Sequence, residues 1–364
     1  MLYIGLISGT SADAIDTALV EITDQIHLLD TLAVPYPEQL QQNIRTAFRL
    51  PYISEELFRR LDREIGTCFA EATLALLKKA SLKAEKITAI GSHGQTLRHE
   101  PNAEPPFSLQ AGSGRIIADH TTVTTVCDFR RADLEAGGQG APLAPALHNA
   151  LFRHPKLDRG IVNLGGIANI TILPADPNKA IVGYDTGPAN TLLDSWIRQH
   201  RAQPFDRDGA WAESGAVNEA LLEQLLADPY FALPPPKSTG FEYFNLRWLE
   251  DQIKRVEGEV PPADVQATLL ALTVRSVRDA IPNVQEVYVC GGGVHNRYLM
   301  AQLAAELEPI SVATSDLLGL DPDWVEATTF AWLAHRRLLD LPGNLPSVTG
   351  AREAVLLGDI FHPN

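Results

Sequence analysis

Apolar and polar positions alternate in blocks that divide the chain into two passages of similar design. In the first, apolar runs predict strands near 2–8, 17–22 and 26–34, then helices near 38–50 and 54–80 and a strand at 87–92. The segment from Glu55 to Ala80 carries the clearest stripe. Leu57, Phe58, Leu61, Ile65, Phe69, Leu74 and Leu77 recur at spacings that gather them on one helical face. A short strand at 122–127 closes this half. The second half begins again, with strands near 160–164, 168–173 and 180–184 and a helix from about 188. Helices near 215–227, 245–256 and 264–281 follow, then the strand Glu286–Cys290 and helices near 296–307 and 323–340. Pro234, Pro235 and Pro236 interrupt the pattern and mark a loop.

Three strands, then helix and strand, thus occur twice without obvious sequence identity. The expectation is two α/β domains with mixed sheets flanked by helices, hinged about a cleft of the kind small ligands occupy. We place the first domain at 1–128, with the C-terminal segment free to return and complete it, and the second at 129–364.

Composition narrows the functions open to such a chain. With 364 residues, 45% hydrophobic and 21% charged, it reads as a soluble globular protein too long for one core. A formal net charge of −15 repels nucleic acid and anionic membrane, so neither is expected as a partner. An anionic substrate would need a local island of positive charge. Cys68, Cys127 and Cys290 show no C-x-x-C spacing, which predicts a reducing, cytoplasmic setting and no disulfide framework. Met1 to Ile7 lacks a basic leader and reads as a first strand rather than a signal peptide. No apolar run reaches the length of a membrane-spanning helix.

Candidate chemistry sits at strand ends. The first strand runs into Gly9, Thr10, Ser11, Ala12, Asp13, Ala14, Ile15 and Asp16. Such a turn can offer backbone N–H groups and hydroxyls to phosphate, and Asp13 or Asp16 can hold a hydrated magnesium ion. An ordinary hairpin rich in turn formers explains the same residues. Gly165 and Gly166, before Asn169, repeat the device in the second half, and Gly291, Gly292 and Gly293 follow the strand at 286–290. Three such turns favour a nucleotide. No G-x-x-x-x-G-K-[ST] is present, and no G-x-G-x-x-G follows the first strand, which excludes the P-loop plan and disfavours a nicotinamide enzyme. The two-lobed, actin-like (ribonuclease-H-like) ATPase plan remains.

Polar clusters complete the picture. Ser92, His93, Gly94, Gln95 and Thr96 lie at a strand end, where ligand contacts are common, although a Ser92–His93 nucleophile pair is opposed by the alternation of side chains on a strand. Arg130 and Arg131 form the positive island, and either can grip a carboxylate as a planar fork or simply pair with a surface acid. Asp185, in a strand-to-helix turn before Pro188, can be a helix cap or a general base. Glu326 at a helix start reads first as a dipole partner.

In order along nearly the whole chain, GLISGTSADAID, GSHGQTLRHEP, DFRRADLEAGGQGAPL, NLGGIANIT, GYDTGPAN, FDRDGAW, PKSTG, VCGGGVHN and WVEATTFAWLAHR resemble the anhydro-N-acetylmuramic acid kinases of the sugar kinase and actin superfamily. The resemblance implies an enzyme of peptidoglycan recycling and amino-sugar catabolism that uses ATP and Mg²⁺. It would open the 1,6-anhydro ring of 1,6-anhydro-N-acetylmuramic acid with water and phosphorylate O6, giving N-acetylmuramic acid 6-phosphate and ADP. It implies Asp185 as catalytic base, and His93, Gln95, Arg131 and Glu326 as sugar contacts. The Gly9–Asp16 turn, with Asp13 reaching magnesium through water, becomes the phosphate loop, and Gly165, Gly166, Asn169 and Gly291 to Gly293 face the nucleotide. A homodimer is compatible with the resemblance. The chain departs from the family at Ala14 and Ala189, where glycine is usual. Two other readings compete: a nucleotide-gated scaffold, which has no use for Asp185 or the arginine island, and an ATP-independent hydrolase of the anhydro bond.

Overall fold

The computed structural model describes residues 1–9 and 12–364. The chain forms two compact units, Met1–Leu147 with Trp324–Asn364, and His148–Asp323. The first contains β1 (Leu2–Ser8), β2 (Ala14–Ile22), β3 (Ile26–Pro35), β4 (Ile87–Glu100), β5 (Phe107–Ala111) and β6 (Thr125–Cys127). The second contains β7 (Arg159–Leu164), β8 (Ile167–Leu173), β9 (Val182–Pro188), β10 (Glu286–Cys290) and β11 (Ser311–Thr314). A last strand, β12 (Asp359–Phe361), returns to the first unit and pairs antiparallel with β6.

The two sheets share one plan. Their orders are β12-β6-β4-β1-β2-β3 and β11-β10-β7-β8-β9, so in each the first strand lies between its hairpin partner and a later parallel strand. β1–β2–β3 and β7–β8–β9 are antiparallel meanders, while β4 and β10 add parallel to β1 and β7. The expected duplication is therefore present as topology, in the order of the ribonuclease-H-like, actin-like fold. No helix among the described residues is long and apolar enough to cross a membrane.

β1 is buried almost throughout because both of its faces are covered. Ile4 and Leu6 enter a cluster with Leu61, Ile65 and Phe69 from the helix Glu55–Lys79. That helix starts on a Ser54 side chain accepting from Leu57 N–H, with Glu55 and Glu56 in its first turn, an arrangement that satisfies and complements its N-terminus. On the opposite face the helix Val325–Leu338 lies so close that a Cβ on Gly5 or Gly91 would collide with the carbonyl oxygens of Ala327 and Phe330 respectively. Gly5 and Gly91 are register partners, so a bare patch two strands wide admits the helix. Gly91→Ala is expected to cost about 1–3 kcal/mol, because backbone cannot yield as a flexible side chain can. Thermal denaturation of the variant checks this, and an unchanged Tm would contradict it.

The boundary between units lies at 147/148 instead of 128/129. Segment 129–147 stays with the first unit because buried Asp133 accepts from Asn344 Nδ2 and Thr349 Oγ1, each at 2.7 Å, and from Gly140 N–H at 2.8 Å. Parting these would leave a buried carboxylate without partners. In the second unit, Val162, Leu164 and Ile170 from the sheet meet Leu193, Trp196, Leu269 and Val277 in one core. This core fixes the ends of β7, β8 and β9, where the polar residues collect.

Candidate functional site

The turn after β1 is braced from below. Gln95, almost fully buried, accepts from Ser8 Oγ at 2.7 Å and donates to the Gly9 carbonyl at 3.2 Å. Its amide thus supports the hairpin. Gly9 has open space where a side chain would stand, and Ala12 is left-handed at φ 52° with its N–H on the Gly9 carbonyl at 3.1 Å. Thr10 and Ser11 lie outside the described residues. Asp13 Oδ1 accepts from Arg45 Nη2 at 2.7 Å and from Gln41 Nε2 at 3.2 Å. Ala14, Ile15 and Asp16 belong to β2, and Ile15 is core. Among the described residues no group of three His, Cys, Asp or Glu side chains is placed to hold a metal ion.

In the second unit the register aligns polar side chains across the sheet. Asn163 on β7 pairs with Asn169 on β8, which pairs with Asp185 on β9, so the three stand in one row on one face. Asn163 is buried, and its Oδ1 has no hydrogen-bond partner among the described residues. The carbonyls of Gly165 and Gly166 accept N–H groups of Ala189, Asn190 and Thr191 at 3.0–3.2 Å, which ties the β7–β8 turn to the start of the helix Asn190–Arg201. The glycine run divides its tasks. Gly291 is left-handed at φ 81°, and a Cβ there would strike Asn163 Oδ1, while one on Gly293 would meet Leu164. Gly292 alone has nothing within 4 Å, so its backbone stays open to a ligand.

Asp185 is held from several sides. Thr239 N–H donates to its Oδ2 at 3.0 Å, its own N–H donates to the Lys237 carbonyl at 3.2 Å, and Tyr230 Oη donates to its carbonyl at 2.7 Å. The helix beyond starts at Asn190 with no side-chain cap, so Asp185 is not a helix cap. Asp185 thus lies within β9 and not in the turn after it, and a carboxylate so fixed can accept a proton from a bound water or hydroxyl.

The positive island resolves into two different arginines. Arg130 Nε donates to His93 Nε2 at 3.1 Å, and its Nη1 donates to the Gly140 carbonyl at 2.7 Å. With Nε2 accepting, the His93 proton sits on Nδ1, which faces the Gly94 carbonyl at 3.2 Å. Burial, reinforced by the Arg130 charge, lowers the pKa of His93 well below the usual imidazole range. The same causes bring His99 down to about 3. The His93 ring leans on Phe330 at 4.6 Å, one turn beyond Glu326 on the helix Val325–Leu338. Glu326 is reached by solvent, yet dense protein around it raises its carboxyl pKa, and the Arg130 charge opposes that rise. His93 also lines a cavity of ≈ 300 Å³ with Asp62, Ser108, Gln110 and Asp128. Arg131 goes elsewhere. It is half exposed and pairs with Asp128 at 2.6 Å, Glu135 at 3.5 Å and Asp359.

The family model described as anhydro-N-acetylmuramic acid kinase matches residues 1–363. The chain belongs to the anhydro-N-acetylmuramic acid kinase family. It is 49% identical over 369 residues to the anhydro-N-acetylmuramic acid kinase of Coxiella burnetii (strain RSA 493 / Nine Mile phase I), covering 99% of this chain and 97% of that protein. The namesake from Xanthomonas campestris pv. campestris (strain 8004) is 51% identical over 369 residues, with the same coverage of 99% and 97%. Among solved structures, the Acidaminococcus fermentans (R)-2-hydroxyglutaryl-CoA dehydratase component A is a distant likeness, with a TM-score of 0.49 and 12% identity over 91% of this chain and 96% of that one.

Membership gives meaning to the two departures from the kinase pattern. Neither alanine has a positive φ: Ala14 lies in β2 beside Pro35, and Ala189 has φ −130°. A methyl group at either position therefore meets no left-handed strain. Two residues escaped the sequence reading of roles. Arg130 was indistinguishable from its neighbour, and Lys237 lay in a polar loop with no assigned partner. The signal available for both was adjacency: Arg130 to the GGQG loop, and Lys237 to a proline run that stiffens the chain before it.

Proposed function

We propose that the protein is an ATP-dependent kinase that hydrolytically opens the 1,6-anhydro ring of 1,6-anhydro-N-acetylmuramic acid and phosphorylates O6, giving N-acetylmuramic acid 6-phosphate and ADP. The observation that carries the reading, beside family membership, is the Asp185 carboxylate fixed by the Thr239 N–H at 3.0 Å. Asp185 takes a proton from water as that water's oxygen bonds to the anomeric carbon. The bond from that carbon to O6 breaks, O6 bonds to the γ-phosphorus, and ADP leaves. The proton taken by Asp185 then passes to solvent, so one proton is released per turnover.

Arg130, Glu326 and the neutral His93 are the proposed sugar contacts, with Arg130 reading the lactyl carboxylate. Arg131 holds Asp128 and Asp359 around this corner. The open backbone at Gly9 and at Gly292 suits phosphate oxygens, the Gly165–Gly166 turn is the proposed second-unit counterpart, and Asn163 and Asn169 line the same sheet with polar groups. Gln95 supports the hairpin from beneath. Magnesium would accompany ATP and neutralise charge on its phosphates. Such an ion needs only one or two protein carboxylates, and Asp13, already bonded to Arg45, would reach it through water. The absence of a C-x-x-C spacing and the use of ATP fit a cytoplasmic enzyme.

A coupled ADP-release assay tests the reading. ADP should form rapidly with the anhydro sugar and far more slowly with N-acetylmuramic acid or glucose. Ring opening that continues after nucleotide is omitted would identify a hydrolase instead.

A further inference from the structure

The geometry points to Lys237 as the positioning residue of the proposed base: it fastens the loop 236–239 across Asp185 and brings a cation to that carboxylate. The inference rests on the reading of Asp185 above. Lys237 is half-buried, and its Nζ donates to the carbonyls of Tyr230 at 3.1 Å and Phe231 at 3.3 Å. The ammonium also lies 4.7 Å from the Tyr230 ring centroid and 5.7 Å from that of Tyr184. From this anchor the chain turns back. The Lys237 carbonyl receives Asp185 N–H, and two residues on, Thr239 N–H reaches Asp185 Oδ2. One side chain thus secures both backbone contacts that orient the base.

The electrostatic part follows from which groups face Asp185. Its own strand carries Tyr184 as the preceding residue, on the other face by strand alternation, while the helix Pro229–Ala232 presents Tyr230 and the loop presents Lys237. Asn169, its partner on β8, does not titrate, and neither do Thr273 and Ser276, which the helix Pro262–Ala280 turns to β9. Burial raises the pKa of Tyr230, so this hydroxyl stays protonated. Lys237 is the cation of the set. Burial lowers its pKa, and attraction to Asp185 raises it, which is the reciprocal sign of a charge that favours the ionised base.

The test compares kcat against pH for the parent enzyme, Lys237→Met and Lys237→Arg, at saturating sugar and MgATP. A nearby cation depresses a carboxyl pKa, so its removal raises that pKa and shrinks the ionised fraction on the acid side. The acid limb of Lys237→Met should move to higher pH by about one unit, roughly a tenfold loss of activity there. Lys237→Arg should bring the limb back toward the parent position, and the KM for ATP should hold in both. A folded Lys237→Met enzyme with an unmoved acid limb overturns the inference, as does a limb displaced equally in Lys237→Arg. Should Lys237→Met fail to fold, Lys237→Gln put through the same profile decides the matter. Asp185→Asn separates the two failures. Full activity in that variant sinks the base itself, whereas an inactive Asp185→Asn beside an unmoved Lys237→Met limb removes only Lys237.

Discussion

Asp185→Asn is expected to lower kcat by roughly 10²–10⁴ while the KM values for sugar and ATP change little. The substitution keeps size and shape. Asparagine can still present an oxygen to Thr239 N–H, which in the parent reaches Oδ2 at 3.0 Å. What remains at the other position is an NH₂ group, a donor where the reaction needs an acceptor. The anhydro sugar has no free O6 hydroxyl, so deprotonation of O6 cannot be the task of this carboxylate. Water must supply the new oxygen at the anomeric carbon. Run in ¹⁸O-water, the parent reaction should therefore place label on the anomeric hydroxyl and none in the phosphate ester. Label bridging sugar and phosphorus would mean that water attacked C6 instead of the anomeric carbon, and Asp185 would not serve attack at the anomeric carbon.

The helices and the duplicated strand order could be read from the sequence because both depend on periodicity. Leu61, Ile65, Phe69 and Leu77 are buried as their spacing requires, although Leu74 of the same stripe is 42% exposed, at its edge. The polar half of β4 was not legible beyond Ser92. His93, Gln95 and Thr96 look like a loop, yet they extend to Glu100 as a hairpin with β5 because Ser8, Arg130 and Gln110 donate to their polar groups and the Gly9 carbonyl accepts from Gln95. Only tertiary partners make such a strand affordable. β12 has three residues and no pattern of its own, and it exists because β6 offers an edge. At the site, the glycine turns and Asp185 were visible as motifs. Which glycine faces open space and which merely clears a neighbour depends on Asn163 and Leu164, distant in sequence from Gly291 to Gly293.

Arg130→Lys is expected to raise the sugar KM by roughly 10–100-fold, and Arg131→Lys by much less, each with little change in the KM for ATP. Adjacent arginines cannot be told apart by composition, and the backbone decides between them. Asp128 adopts a left-handed conformation at φ 62°, and the helix Arg131–Glu135 begins immediately after Arg130. The two side chains leave this bend toward different surroundings. Arg131 meets three acidic side chains, with Asp128 the chief cause of its raised pKa. A guanidinium so paired has little left for a ligand carboxylate, and half-exposed pairs of this kind contribute about 0–1 kcal/mol to stability. Arg130 instead donates to the His93 imidazole and the Gly140 carbonyl, which orient its guanidinium, and its charge acts on Glu326 in the same corner. Lysine keeps the charge but loses the planar fork, and hydrogen bonds to a charged group contribute about 1.5–3 kcal/mol. At about 1.4 kcal/mol per tenfold, that gives the stated range. Steady-state kinetics with the anhydro sugar and MgATP measure both variants side by side. If Arg131→Lys raises the sugar KM more than Arg130→Lys does, the carboxylate is read by Arg131 and the orientation set by Asp128 does not govern recognition.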